Sequence, residues 1–366
     1  MWKGERIMSA ITYKCPNCDG GLVFEPESGT YACEYCLSKF TQEDLVAESQ
    51  EAESVSQQEP LQEENSAETV TESADSQKSA VMYHCPSCGA EIITDETTAA
   101  TFCFYCHNPI VLAGKLEGEY LPDGIIPFKI TKEEATEKFM EWIQKKKFVP
   151  TGFSSKRHIE KMSGVYFPYW LYGCETDSYM NGTARDIRIW RVGDIEYTET
   201  KVFQVRRAGK VSFKHLPKTA LQKAQNAMLK GIFPYEFGAL EKFHMGYLSG
   251  FQAEKRDIDK ETLSAQIRQE IQKYAEKRIR DTITGRNSFS MESQNHAIVE
   301  EKYQYTLLPV WVLTYRQGNQ IYYFAMNGQT GEVVGKLPID NKKLFGLGGI
   351  IFAVVFIILM IGGLLV

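Results

Sequence analysis

The chain has 366 residues, 43% apolar and 24% charged, which is long enough for more than one packed domain and too apolar to be disordered throughout. Its formal charge of −6 and pI near 5.7 argue against a surface built mainly to neutralise phosphate. The opening "MWKGERIMSA" lacks the apolar stretch of a secretory signal peptide.

The first element is a pair of Cys-x-x-Cys knuckles, Cys15/Cys18 and Cys33/Cys36, separated by fourteen residues. Each knuckle presents two thiolates to one ion, and two knuckles complete the four-coordinate shell preferred by structural zinc. A redox dithiol is the competing reading, but that motif normally stands alone ahead of a helix. Residues 11–40 are therefore expected to form a zinc ribbon too small to fold without its metal. Reduced thiols in such number also point to a reducing compartment.

Residues 41–80 hold eleven acidic residues and one lysine, a net −10, with no aromatic residue and no glycine. Such a composition predicts a disordered acidic linker on which the first ribbon ranges away from the second. The remainder of the chain is then near +4.

The same frame recurs at 81–112, with Cys85/Cys88 and Cys103/Cys106 again fourteen residues apart. A second ribbon and a second zinc ion are expected there. His84 and His107 adjoin this set as supporting or replacement ligands, a minor role when four thiolates are already present.

Residues 118–340 read as an α+β domain. "GEYLPDGIIPFKI" is an extended entry segment, with Pro122 and Pro127 blocking helix. Thr131 with Glu134 forms a capping box, and Ala135, Phe139, Trp142 and Ile143 mark the apolar face of the helix that follows. Strands are expected at 165–183, 187–191, 197–213, 298–316 and 320–326, the last two joined by "RQGNQ". Helices are expected at 218–230 and 260–284, the second with Leu263, Ile267, Ile271, Ala275 and Ile279 on one stripe. Phe167-Pro-Tyr-Trp170 and Leu308-Pro-Val-Trp311 share one frame ahead of a strand and are read as core plugs of two related half-sheets. Arg185, Arg188 and Arg191 beside Trp190 resemble a nucleic-acid surface, but a strand splits them between two faces. Cys174 is read as a buried small residue.

Leu344 to Val366 carries no charge and follows Lys342 and Lys343. As a helix it reaches about 34 Å, enough for a hydrocarbon core of roughly 30 Å. The expectation is a single transmembrane helix at 344–366 with the N-terminal body cytoplasmic, since both the lysines and the thiols favour that side. No phosphate-binding loop, H-E-x-x-H, G-x-S-x-G or dinucleotide fingerprint occurs, so no enzyme is expected.

The stretches "CPSCGAEI" and "DETTAATFCFYCHNPIVL", the segment "GVYFPYWLYGCETDSYMNG", the turn "NGQTGEVVGKLP" and the terminal run resemble a family of Gram-positive bacterial membrane proteins with TFIIB-type zinc ribbons. Some of its members are encoded alongside a phage shock protein A homologue. The resemblance implies recruitment or organisation of stress proteins at the cell membrane, with no known enzymatic activity, and carries over only the eight cysteines as site residues. The expected architecture is thus α+β: two small zinc ribbons, a mixed α+β domain and one C-terminal transmembrane helix. The expected function is a membrane-anchored cytoplasmic adaptor that recruits protein partners, a phage shock protein A homologue among them. A membrane-tethered nucleic-acid binder is the alternative.

Overall fold

The computed structural model describes residues 12–45 apart from 19 and 27, 80–150 apart from 89–90, 96, 104–106 and 117, then 162–222, 227–317 and 320–364. The acidic stretch expected as a linker lies almost wholly outside the described residues, as does Cys106. Among the described residues strand outweighs helix, 45% to 26%, and the chain divides into two compact units. One comprises Met1–Phe167, Lys223–Lys255 and Leu307–Val366. The other comprises Pro168–Gln222 and Arg256–Thr306. The span 118–340 read as one domain thus contributes to both.

The first unit begins with a three-stranded sheet, β1 (Leu22–Glu25), β2 (Thr30–Cys33) and β3 (Lys39–Phe40), in that order. In the second cysteine repeat, β4 (Ala80–His84) pairs β5 (Glu91–Asp95). Its other half joins a larger sheet: β6 (Thr98–Phe102) pairs β7 (Pro109–Val111) on one side and β12 (Gln252–Glu254) on the other. Tyr83, Cys85, Ile92, Cys103, Ile110 and Leu112 form a buried cluster of the ribbon's own, and the β6–β12 pairing ties the ribbon to the larger sheet.

The centre of this unit is Phe128, on the extended segment after β8 (Gly124–Ile125). Its ring stacks on Phe251 at 4.3 Å and meets Tyr166 and Trp311, each at 5.0 Å. Gly328 is required beside it, because a Cβ there would fall 2.5 Å from the Phe128 ring. Helix α1 (Lys132–Gln144) starts as the capping box predicts: Glu134 N–H donates to Thr131 Oγ1 at 3.2 Å, and Thr131 N–H donates to the Glu134 carboxylate at 3.0 Å. It buries Ala135, Phe139 and Ile143, and Phe139 packs on Phe324 of β14 (Gln320–Asn327) at 4.5 Å.

The second unit is a twisted antiparallel ribbon with a helix laid on it. β9 (Ser163–Val192) pairs β10 (Ile195–Thr219) from Val192↔Ile195 down to Tyr169↔Thr219, interrupted by one bulge between Phe213 and Leu216. The sequence reading broke these strands at 184–186 and 192–196. Only the second break is real, and Gly193 turns it with φ +62°. The charges at Arg185 and Asp186 blurred the alternation without ending the strand.

On β9 every even-numbered residue from Tyr172 to Ala184 is buried. This is the period of two that a half-buried strand requires. Helix α3 (Lys260–Arg280) buries Leu263, Ile267, Ile271, Ala275 and Ile279, the stripe read from the sequence. The helix expected at 218–230 is reduced, among the described residues, to the short turn α2 (Ala227–Lys230), with Lys218 and Thr219 still in β10.

The two Pro-x-Trp frames do plug cores, one in each unit. Trp170 donates from Nε1 to the Ile258 carbonyl at 2.9 Å, and Trp311 donates to the Ile130 carbonyl at 3.0 Å. Both prolines, however, lie inside long strands, β9 and β13 (Ser288–Gln317), and not ahead of them. Pro168 falls between the β9 residues that pair β12 and those that pair β10, where its missing N–H costs neither ladder a bond.

The C-terminal expectation is overturned. Helix α4 runs Asn341–Leu364, but among the described residues no helix is long and apolar enough to cross a membrane. The expected transmembrane helix, the single-pass cell-membrane placement and the fold class that included them are therefore corrected to a sheet-rich two-unit fold.

Candidate metal centre

In the first ribbon the chain reverses tightly at each knuckle. Cys15 N–H donates to the Gly20 carbonyl at 2.7 Å, and Cys33 N–H to the Ser38 carbonyl at 2.9 Å. These turns aim backbone N–H groups at sulfur: Asn17 and Cys18 at Cys15, Gly20 at Cys18, and Ser38 at Cys36. Donors pointed at sulfur stabilise thiolate, the form that ligates metal.

The result is a closed quartet. Cys15 Sγ lies 3.4 Å from Cys36 Sγ, and Cys18 Sγ lies 3.5 Å from Cys33 Sγ. All four sulfurs fall within 4.8 Å of one another. A disulfide needs ~2.05 Å, so these are not bonded pairs. A tetrahedron with metal–sulfur bonds of ~2.3 Å has an edge of about 3.8 Å, close to what is found. In each knuckle the first cysteine is buried and the second exposed, which closes the site on one side and leaves an entry path on the other.

The electrostatics match a cation site. Ser38, through its hydroxyl and its backbone N–H, pulls the Cys36 thiol down to about 6, while burial pushes Cys15 up. Outweighing the Gly20 N–H, the neighbouring Cys33 and Cys36 thiols push Cys18 up to about 12. Four thiolates within 4.8 Å of one another repel strongly, so all four ionise only with a cation between them. Asn17 donates from Nδ2 to Ser38 Oγ at 2.8 Å and so holds that hydroxyl beside Cys36.

The second ribbon repeats the device as far as it is described. Cys85, Cys88 and Cys103 cluster within the same limit, with Cys88 Sγ 3.7 Å from Cys103 Sγ. Cys103 N–H donates to the Asn108 carbonyl at 2.9 Å, the counterpart of the Cys33–Ser38 bond. Of the eight predicted ligands, seven are therefore brought together in two groups, and the eighth, Cys106, lies outside the described residues. These clusters can each hold a metal ion.

Neither His84 nor His107 joins a ligand group among the described residues. Cys174 sits alone in the second unit, buried, with its thiol pushed up by that burial. Sequence reasoning missed Ser38, whose signal is its place two residues after the last ligand.

Compared with known proteins, the chain is 31% identical over 358 residues to a Bacillus subtilis (strain 168) protein described as "Uncharacterized protein YdjG", covering 96% of this chain and 99% of the other. The chain belongs to the YdjG family. No family model and no solved structure matches it.

Proposed function

We propose that the chain is a zinc-ribbon adaptor: each ribbon holds one zinc ion, and the ribbons present a docking surface to a protein partner without a catalytic step. The observation that carries this reading is the tetrahedral spacing of Cys15, Cys18, Cys33 and Cys36. An all-sulfur tetrahedral shell suits zinc or iron–sulfur ligation, and a short knuckle-on-knuckle ribbon favours the single ion.

Beside that shell, Tyr35 and Leu37 are 69% and 80% exposed. A tyrosine and a leucine held outward on a metal-stiffened turn are rigid anchors of the sort that dominate interface energetics. The family resemblance nominates a phage shock protein A homologue as the first partner to test. Affinity purification of the intact chain from native cells should retain a specific partner, and that partner should disappear with Cys85→Ser/Cys88→Ser or with Tyr35→Ser/Leu37→Ser. A partner retained by both variants contradicts the adaptor reading.

A second reading, nucleic-acid binding, is favoured by one observation. Trp190 and Tyr197 stack at 5.6 Å near the tip of the β9–β10 hairpin, with Arg188 over the Trp190 ring at 5.6 Å, and both aromatics are exposed. Ion pairing of Arg191 with Glu196 and of Arg286 with Asp186 uses part of the local positive charge. Salt-sensitive gel shifts with single-stranded oligonucleotides, abolished by Trp190→Ala, would support it.

A further inference from the structure

The first ribbon does not stand free. Its strand β1 lies against the segment Met245–Gly250 of the same unit, where Phe24 N–H donates to the Ser249 carbonyl at 3.0 Å and the Ser249 hydroxyl donates to the Leu22 carbonyl. The Phe24 ring packs edge-on against Tyr247 at 5.2 Å and against Tyr31 at 5.5 Å.

Two glycines admit the ribbon. A Cβ on Gly250, whose φ is +85°, would stand 2.3 Å from Val23 Cγ1, and a Cβ on Gly246 would stand 2.4 Å from Tyr31 Oη. His244 holds this segment in shape, its Nδ1 accepting from Gly246 N–H at 3.1 Å. Between the ribbon and the rest of the unit lies a cavity of about 780 Å³, walled by Val23, Cys33 and Leu37 on the ribbon side and by Phe102, Met162 and Phe251 opposite.

Every docking residue of the ribbon (Leu22, Val23, Phe24 and Tyr31) lies in the chain between Cys18 and Cys36, and β2 ends on Cys33 itself. The loop that makes the interface is therefore the loop that a metal ion would close. The interface also carries a weakness: Tyr31 is 1% exposed, and its hydroxyl has no hydrogen-bond partner among the described residues. A buried, unsatisfied phenol opposes docking.

We propose that the metal ion in the Cys15/Cys18/Cys33/Cys36 site is a latch. With the ion bound, the ribbon holds its docking face on Met245–Gly250 and closes the cavity. Without it, the ribbon loses its shape, releases the segment and opens the cavity. Metal occupancy then sets whether Phe24, Tyr31 and Tyr247 are covered or presented. This inference rests on the metal-binding reading of the quartet and adds a coupling that the reading does not require. Thermodynamic linkage makes the coupling reciprocal, so a ribbon that cannot dock should also hold its ion less tightly.

The test uses the full chain and zinc as the probe, with metal content and amide hydrogen exchange read on the same sample. Selective loss of the first ion in Cys18→Ser/Cys36→Ser should speed exchange in both 20–33 and 244–251 by about tenfold or more while the helix 260–280 is unchanged. Because that variant could disorder the ribbon for other reasons, Gly250→Val is the second arm. It should keep two zinc ions at saturating metal, show fast exchange at 244–251, and bind the first ion about tenfold more weakly. Tyr31→Phe should act in the opposite direction and slow exchange at 244–251. If zinc binds at the quartet but 244–251 stays protected in Cys18→Ser/Cys36→Ser, or if Gly250→Val leaves both exchange and zinc affinity unchanged, the latch is wrong while the metal reading stands. If the quartet takes up no zinc, both fall.

Discussion

Leu37 and His107 occupy the same place in the two ribbons. Each follows the second knuckle in the left-handed region, with φ +62° and +59°, and each donates its N–H to the carbonyl four residues back, Cys33 at 2.9 Å and Cys103 at 3.0 Å. Non-glycine residues are uncommon there, and the conformation costs roughly 1 kcal/mol that glycine would not incur. The geometry assigns His107 a turn role in place of a ligand role. Leu37→Gly and His107→Gly should therefore leave metal content unchanged and not lower thermal stability. Loss of an ion in His107→Gly would reinstate the histidine as a ligand.

The paired indoles offer a unit-by-unit test. Trp170→Phe leaves the Ile258 carbonyl without its donor, and Trp311→Phe does the same at Ile130. Each should destabilise its own unit by about 1–3 kcal/mol, the usual cost of an unsatisfied buried group. Hydrogen exchange should quicken near 256–260 in the first variant and near 126–131 in the second. Equal effects at both places from either change would contradict the division of roles.

Gly182 on β9 faces the backbone of β13, and a Cβ there would stand 2.3 Å from the Ser290 carbonyl oxygen. The Phe289 ring also lies within 2.7 Å of that position, and because the nearest atom is backbone the strands themselves must part. Gly182→Ala should cost about 1–3 kcal/mol in urea unfolding, as overpacking does elsewhere. A neutral result would place β13 farther from β9 than described.

Acid should weaken the second unit through His296. This residue of β13 is 6% exposed, its Nε2 lies 3.2 Å from Gln294 Oε1, and burial holds its pKa below the ordinary value despite the opposing pull of Glu276. The folded state thus favours neutral imidazole. That contribution is complete above the unfolded value of about 6.5 and is lost as pH falls through the lower folded value. Urea midpoints should fall between pH 7 and pH 5, and His296→Gln should flatten part of the fall. An unchanged slope in that variant would assign the acid sensitivity elsewhere.

What could be read from the chain was what is written locally. The cysteine spacings, the Thr131–Glu134 cap and the stripe from Leu263 to Ile279 each lie within a few turns of backbone, and each appears as expected. The docking of β1 on Met245–Gly250 joins residues more than 200 positions apart through glycines that carry no periodic signal. Composition instead predicted a freely ranging ribbon. The strands were shortened in the reading because charges at Arg185 and Asp186 masked a ladder that continues to Val192. The terminal run reads as a span from its uncharged length alone, whereas among the described residues no helix is long and apolar enough to cross a membrane.

The central claim is that thiols of the two ribbons hold metal, and elemental analysis of the purified full-length protein, made without added metal and under reducing conditions, tests it most directly. Two zinc ions per chain are expected, falling to one in Cys15→Ser/Cys18→Ser and in Cys85→Ser/Cys88→Ser, with cobalt substitution giving the bands of tetrahedral thiolate ligation. A protein that folds to the same structure with no bound metal, or whose zinc content ignores these substitutions, contradicts it.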